Sequence, residues 1–339
     1  MWLLGLIWIR LAWPVCCFLV STMKKKLPSF ANILCLLVAF NLAACADSDT
    51  ASIEGGGQLN GIIGGTIPLE KSIARTGTVA IGTVDKVTGR FASFCTGVIV
   101  SRDLVLTAAH CMETDVIVSQ EGSKSVSLYF GNAYENYDKS LERVSKKWEV
   151  NSKYAPILEP EFGMVASALG DVALLKVDGG VPLSSTPVKI GIDLILKKGE
   201  QITAAGWGLV YEQPRQGGVT VGATEEEVSA PIEQADNSNA DRVSDRLYEA
   251  HISFIAYWKS HMVFQLSDKN GVCRGDSGGP AYYKSKKNGY VVIGTVRGAH
   301  AFSDCSGMVE YTNLSKNIDF IKKAAAKLSG APVQVVNLK

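Results

Sequence analysis

Neither sign of charge prevails in this chain. Lysine and arginine total 34 against 33 aspartates and glutamates, a formal net charge of +1. Proteins that hold nucleic acid gather basic residues into a phosphate-neutralising patch, and no such footprint is present. Histidine is scarce, four in 339 residues. Only His110 stands close to cysteines, and it has another use, so a zinc site would be short of ligands and no metal or cofactor is expected. A regular alternation of strands and helices is also missing. Short β-rich runs follow one another between turn signals instead: Thr78–Val84, Val98–Leu106, Val126–Phe130, Val172–Val177, Gln201–Ala205 and Tyr290–Val296. That pattern argues against a parallel sheet and predicts an all-β chain. One helix is expected near the end, where Ile318, Ile321, Ala325 and Leu328 recur at steps of three and four before Gly330 and Pro332.

What is present is a serine set among glycines, Cys273-Arg274-Gly275-Asp276-Ser277-Gly278-Gly279-Pro280. A serine hydroxyl attacks carbonyls poorly unless a base takes its proton and a donor site receives the oxyanion. Glycines beside it let backbone N–H groups approach a reacting atom. Alone, the stretch is equally a glycine-rich turn. Two upstream segments decide between these readings. Thr107-Ala108-Ala109-His110-Cys111 ends an apolar strand-like run, and Asp171 leads directly into Val172-Ala173-Leu174-Leu175. The order His, Asp, Ser supplies a base, a carboxylate to orient it, and a nucleophile.

With these motifs in order, the chain resembles the trypsin-like serine endopeptidases of the chymotrypsin fold, from about Ile62 to Leu328. The resemblance implies two packed six-stranded antiparallel β-barrels with a C-terminal helix. His110 and Asp171 would come from the first barrel and Ser277 from the second. It implies that His110, Asp171 and Ser277 are catalytic, and that the N–H groups of Gly275 and Ser277 form the oxyanion hole. Ile62-Ile63-Gly64-Gly65 resembles the family's mature amino terminus, which implies a zymogen cut before Ile62. The freed ammonium would pair with Asp276; an ordinary Ile-Ile strand and Gly-Gly turn is the plainer reading. Gly61 stands where the family commonly has Arg or Lys, so an activating protease other than a trypsin-like one is expected.

Eight cysteines divide evenly. Cys16, Cys17, Cys35 and Cys45 precede the catalytic region, and Cys95, Cys111, Cys273 and Cys305 lie within it. An even number behind an export signal suggests disulfides, with free thiols or zinc as rivals. The resemblance pairs Cys95 with Cys111 and Cys273 with Cys305. Residues 1–44 read as a signal region: Lys24-Lys25-Lys26, an apolar core from Ile33 to Phe40, then Leu42-Ala43-Ala44-Cys45. The last four resemble a bacterial lipobox, which implies lipidation of Cys45 and attachment to the membrane of a bacterial cell envelope; a soluble secreted protein is the alternative. Translation is expected to begin at Met23, although the first 22 residues are also apolar enough for a membrane helix. Residues 45–61 would be a lipidated tether and propeptide, and 62–339 the protease domain. The signal region holds Arg10 and three lysines and no acid. The remaining chain therefore keeps 34 less 4, or 30, basic residues against 33 acidic, a formal −3.

The primary pocket also follows from the resemblance. Gly271 would floor it, followed by Val272, with Val309 at its back wall and Thr295, Val296 and Arg297 along the substrate-backbone edge. A floor without an acid implies cleavage of proteins or peptides after small or medium uncharged residues. A one-residue change of register would put Glu310 in the pocket and favour basic residues instead. His251, His261 and His300 are read as structural or surface, and Glu212–Asp245 as long surface loops. The rival function is a non-catalytic, surface-anchored binding module on the same fold.

Overall fold

In the structure, a computed structural model, the described residues are 62 and 64–339, excepting 86, 114–123, 135–136, 160–163, 168–169, 212–241, 267–270, 301–304 and 306. They belong to one compact unit, 58–339. The signal region, Cys45 and its tether, Gly61 and most of the Glu212–Asp245 stretch lie outside the described residues. No described helix is long and apolar enough to cross a membrane.

Helix α1 (Ile73–Gly77) is capped by Ser72, whose hydroxyl accepts from the Ala74 N–H. The first sheet takes β1 (Thr78–Val84), β2 (Phe91–Ile99), β3 (Leu104–Thr107), β4 (Val126–Tyr129), β5 (Glu142–Ser145) and β6 (Lys147–Val150). Strands β7 (Pro156–Glu159) and β8 (Met164–Ser167) pair with each other. Strand β9 (Ala173–Lys176) completes the first sheet in the order β5-β4-β1-β2-β3-β9-β6. The expectation of one run over Val98–Leu106 is corrected. The chain reverses at Ser101–Asp103, where Ser101 Oγ donates to Asp103 Oδ1 at 3.0 Å, and Val98 then faces Leu106 across the hairpin. Both arms are buried, so their apolar pattern is continuous; the polar Ser-Arg-Asp insert is the turn signal.

The second sheet takes β10 (Lys189–Ile192) and β11 (Gln201–Gly206). A small pair, β12 (Leu209–Tyr211) and β13 (Arg242–Val243), stands apart. The sheet resumes with β14 (Tyr248–Trp258), β15 (His261–Gln265), β16 (Pro280–Ser285), β17 (Gly289–His300) and β18 (Met308–Asn313), and ends with β19 (Val335–Asn337). Its order is β16-β11-β14-β15-β18-β17-β10-β19, and β16 also pairs with β17. Six strands thus close a ring, while β10 and β19 add to its edge in parallel. The expected all-β fold of two barrel-like sheets with a C-terminal helix is present, and those parallel edges are its departure from a purely antiparallel plan.

Helix α2 (Ile318–Lys327) buries Ile321, Ala324 and Ala325. Its end is made by Ser329, at φ +49°, while the Gly330 N–H donates to the Ala325 carbonyl at 3.0 Å. Gly330 is needed there because a Cβ would stand 2.5 Å from Leu104, which ties the helix to β3. Ile81, Val105 and Leu175 fill the first barrel, and Ile202, Phe264 and Tyr311 the second. A third apolar cluster, including Val98, Leu106, Trp207, Tyr282 and Ile321, takes residues from both sheets and from α2. Burying one such Leu or Ile side chain contributes about 1.5–3 kcal/mol, so the two sheets are held at a fixed separation.

Candidate active site

Strand register delivers the first two residues. Thr107 pairs with Ala173 across β3 and β9, so His110, three residues on, and Asp171, two residues back, reach the same end of the sheet. Asp171 is 1% exposed. Its Oδ1 accepts the His110 backbone N–H at 3.0 Å, and its Oδ2 lies 2.8 Å from His110 Nδ1. With Nδ1–H donating to a carboxylate, the lone pair is left on Nε2. The His110 side chain remains 31% exposed.

Ser277 sits on a turn that glycine makes possible. Gly275 has φ +91° and Gly278 φ +80°, a region that side chains with a Cβ rarely adopt. Asp276 N–H donates to the Cys273 carbonyl at 3.1 Å and Gly279 N–H to the Asp276 carbonyl at 2.8 Å. Among the described residues, the N–H groups of Gly275 and Ser277 donate to no protein acceptor.

The turn is fastened to the strands that carry His110. Thr96 N–H donates to the Ser277 carbonyl at 2.8 Å, and Thr96 Oγ1 donates to the Gly275 carbonyl at 2.9 Å while accepting the Trp207 N–H at 3.2 Å. A Cβ on Gly278 would stand 2.0 Å from Thr107 Oγ1 and 2.7 Å from the Ala108 nitrogen. Disulfides join Cys95 to Cys111 and Cys273 to Cys305, the pairing that the resemblance implies. The Cys111 sulfur packs 3.6 Å from the Ser277 carbonyl oxygen. Two residues next to these cysteines, Thr96 and His110, thereby hold the serine turn and the imidazole in one frame. Sequence reading missed Thr96; a threonine beside a cysteine in a buried strand carries no signal until its partner loop is known.

A second buried carboxylate lies under the turn. Asp276 is fully buried, with Oδ1 accepting from the Gly208 N–H at 2.8 Å and Oδ2 from the Cys273 N–H at 2.9 Å. Gly206 and Gly208 make the space, since a Cβ on either would stand 2.0 or 2.3 Å from a carboxylate oxygen. Burial outweighs those two donors and pushes the Asp276 carboxyl up to about 7. Ile62 is buried in the apolar core of the second barrel, with φ +46°, and the Gly65 N–H donates to its carbonyl at 2.6 Å.

Comparison with known proteins supplies the family. A protein-family model described as Trypsin matches residues 74–321. The chain belongs to the trypsin family. It is 24% identical to brachyurin from Leptuca pugilator over 64% of this chain and 84% of that protein. It is 26% identical to the trypsin-like protease of Streptomyces glaucescens over 69% of this chain and 75% of that protein. Vitamin K-dependent protein C from Oryctolagus cuniculus is 24% identical over 70% of this chain, which spans about half of that relative's length at 49%.

Three of the six residues expected to form the primary pocket of this trypsin-family chain fall in one apolar cluster. Val272, Val296 and Val309 share the apolar core of the second barrel. A Cβ on Gly271 would stand 2.9 Å from the Cys305 carbonyl. Thr295 is fully buried beside them on β17. Arg297 is turned inward: its guanidinium donates to the Glu310 carboxylate, and that side chain is 7% exposed. Glu310 sits between Val309 and Tyr311 on β18, so its side chain leaves the opposite face of the strand. His261 is also fully buried. Burial, with the Arg297 charge adding to it, holds His261 down at about 4. His251 is exposed, with Nδ1 3.2 Å from Thr203 Oγ1. Nothing in the motif spacing distinguished His261 from His251.

Proposed function

We propose that this chain is an exported serine endopeptidase that hydrolyses peptide bonds through an acyl-enzyme. Ser277 Oγ bonds to the substrate carbonyl carbon while His110 Nε2 takes its proton, and the carbonyl oxygen becomes an oxyanion. The N–H groups of Gly275 and Ser277 receive that oxygen. Collapse breaks the C–N bond, and the departing amine takes the proton from His110. Water then attacks the ester carbonyl and gives a proton to His110; the bond to Ser277 Oγ breaks, His110 returns that proton to Oγ, and the acid leaves. Asp171 keeps the imidazole in the useful tautomer and stabilises the imidazolium. The single observation that supports the reading most is the double hold of Asp171 on His110, through its backbone N–H and through Nδ1. Family membership and trypsin-like relatives support the reaction class.

Activation by cleavage before Ile62 belongs to the same reading. The new ammonium would pair with Asp276, whose burial without a cation raises its carboxyl. Gly61 before the bond speaks against a trypsin-like activating cut, and a separate activating protease is part of the reading. Cleavage after small or medium uncharged residues rests on Gly271, Val272 and Val309. Anchoring to the cell envelope rests on Leu42-Ala43-Ala44-Cys45.

A fluorophosphonate probe tests the chemistry. Protein beginning at Ile62 should be labelled and Ser277→Ala should not. Failure of the processed wild type to react would favour a binding module. Amino-terminal sequencing of the native protein with a substrate profile tests the processing and the pocket. Cys45→Ser should move the protein out of the membrane fraction, and unchanged partitioning would remove the lipid anchor from the reading.

A further inference from the structure

A cavity of about 370 Å³, apart from the reacting groups, is lined by Gly89, Arg90, Phe91, Tyr134, Tyr137 and Asp245. Its walls are aromatic and locked in place. The Tyr137 ring stacks on Tyr129 at 4.9 Å, and the Tyr134 ring stacks on Trp207 at 4.6 Å. Phe91 lies 5.4 Å from Tyr134 and 5.7 Å from Tyr129. The Tyr137 hydroxyl donates to Glu142 Oε2 at 2.5 Å, and the Tyr134 N–H donates to the Asp245 carbonyl at 2.7 Å. Walls already fixed by their own neighbours lose little freedom when a ligand enters.

Strand register joins this cavity to the nucleophile turn. Gly82 pairs with Ser93 and Ile81 with Cys95, so Phe94 is an extra residue in β2. Residues five apart on a regular strand face opposite ways, and the bulge brings Phe91 round to the side of Thr96. Ala80 pairs with both Thr96 and Tyr129, and it shares one apolar cluster with Phe91, Tyr129 and Trp207. Thr96 N–H donates to the Ser277 carbonyl, and Gly278 N–H donates to the Val296 carbonyl, both at 2.8 Å. The turn is thus flanked by β2 on one side and β17 on the other. Substrate residues before the scissile bond are expected along β17, so those after it leave toward β2. From Thr96 to Phe91 is about 15 Å of strand, which an extended peptide covers in about four or five residues.

We propose that this cavity is a second substrate-binding site, which takes an aromatic side chain carried by the polypeptide about four to six residues after the cleaved bond. The proposal rests on the protease reading and on β17 as the edge for the residues before the bond. Rings gain from offset or edge-to-face contact with other rings, so walls of Phe91, Tyr134 and Tyr137 favour a ring over an aliphatic side chain. Arg90, exposed at the rim, can lay its guanidinium against that ring. The cavity is remote from the reacting atoms and holds the ground state and the transition state alike. Its contribution should therefore appear in KM, with kcat unaltered. Peptides that end short of the cavity gain nothing from it.

The test uses protein processed to begin at Ile62, as wild type, Tyr137→Ala and Arg90→Ala, with circular dichroism and fluorophosphonate labelling on each. Peptides sharing one cleavage sequence would carry Trp, Phe, Leu or Ala at the fourth, fifth or sixth residue after the bond. In wild type, Trp or Phe at one of these positions should lower KM about fivefold or more relative to Ala, with a smaller gain for Leu. Tyr137→Ala should remove this preference and Arg90→Ala should reduce it. Labelled wild type with equal KM for all these peptides overturns the proposal, as does a folded, labelled Tyr137→Ala protein that keeps the preference. If Tyr137→Ala fails to fold, an undiminished preference in Arg90→Ala overturns it. The aromatic leaving half of the peptide should also bind Ser277→Ala protein by fluorescence anisotropy, and adding Tyr137→Ala should abolish that binding. Such binding without a KM preference in wild type would assign the cavity to a partner other than substrate and overturn the proposal. Unlabelled wild type overturns the protease reading instead, and this proposal with it.

Discussion

Two buried aspartates serve the two halves of the site, and they are kept under opposite conditions. Asp171, in the first barrel, reaches His110 with both oxygens. Its partner side chain accompanies it in the same rigid frame, because β3 and β9 are neighbours. Asp276, in the second barrel, has two backbone amides and burial strong enough to raise its carboxyl to about 7. One carboxylate is complete in the uncut chain and the other carries a penalty that a cation would relieve. On the proposed reading, the base half is assembled by folding, while the nucleophile half waits on cleavage before Ile62.

The sharpest way to break this comparison is to remove each carboxylate in turn. Asp171→Asn in processed protein should lower kcat about 10⁴-fold, because the imidazole takes the wrong tautomer; stopped assays on a peptide ester and amide would measure it. Asp276→Asn, or retention of residues 45–61, should cost about 10²–10³-fold, the scale of a misplaced oxyanion donor. Equal rates for protein starting at Cys45 and at Ile62 would show that the second half is not conditional.

Stability against pH separates the two carboxylates without any catalysis. In uncut Ser277→Ala protein, Asp276 is protonated in the fold at pH values where the unfolded chain has lost that proton. The native state then binds more protons at this site, so the Asp276 contribution to stability should be fully present below the usual carboxylate range and be lost as pH climbs to about 7, against a rise of opposite sign from His261, held down at about 4. Urea titrations should show this slope removed by Asp276→Asn. A smaller effect should come from Gly278→Ala. Its φ of +80° and the Thr107 contact make the extra methyl destabilising by about 1–3 kcal/mol, with labelling lost before the fold. Smallest is Thr96→Val, which removes one bond to Gly275 and one from Trp207, about 1 kcal/mol by thermal melting.

Much of this was legible in the residues because chemistry and local sequence coincide. His110, Asp171 and Ser277 each stand in a motif whose neighbours serve the same end, such as Gly278 folding under Thr107. The strand-like runs at 78–84 and 201–205 matched their elements to within a residue. Strand β14 was legible but overlooked: Tyr248, Ala250, Ile252 and Phe254 alternate with polar or exposed residues and are all buried. The Val98–Leu106 hairpin was read as one run since both arms are apolar. The cluster of Arg297, Glu310 and His261 was beyond reach for a different reason. Its members come from three strands whose register is fixed by pairing, and a sequence pattern gives no account of which polar residues meet across a sheet.

The bridge between Cys95 and Cys111 makes the enzyme's competence a matter of redox chemistry as well as geometry. Cys95 adjoins Thr96, which holds both ends of the serine turn, and Cys111 adjoins His110. A reductant that opens the bond removes about 3 kcal/mol of constraint from the loop between them. It acts at a place where base and nucleophile share a support. In a cytosol kept reducing by thiol systems, disulfides of this kind do not persist. A newly made chain would therefore be spared a finished site while still among the proteins of its own cell. Oxidation would act as a second safeguard beside the proposed peptide cut, set by where the molecule is rather than by what has cleaved it.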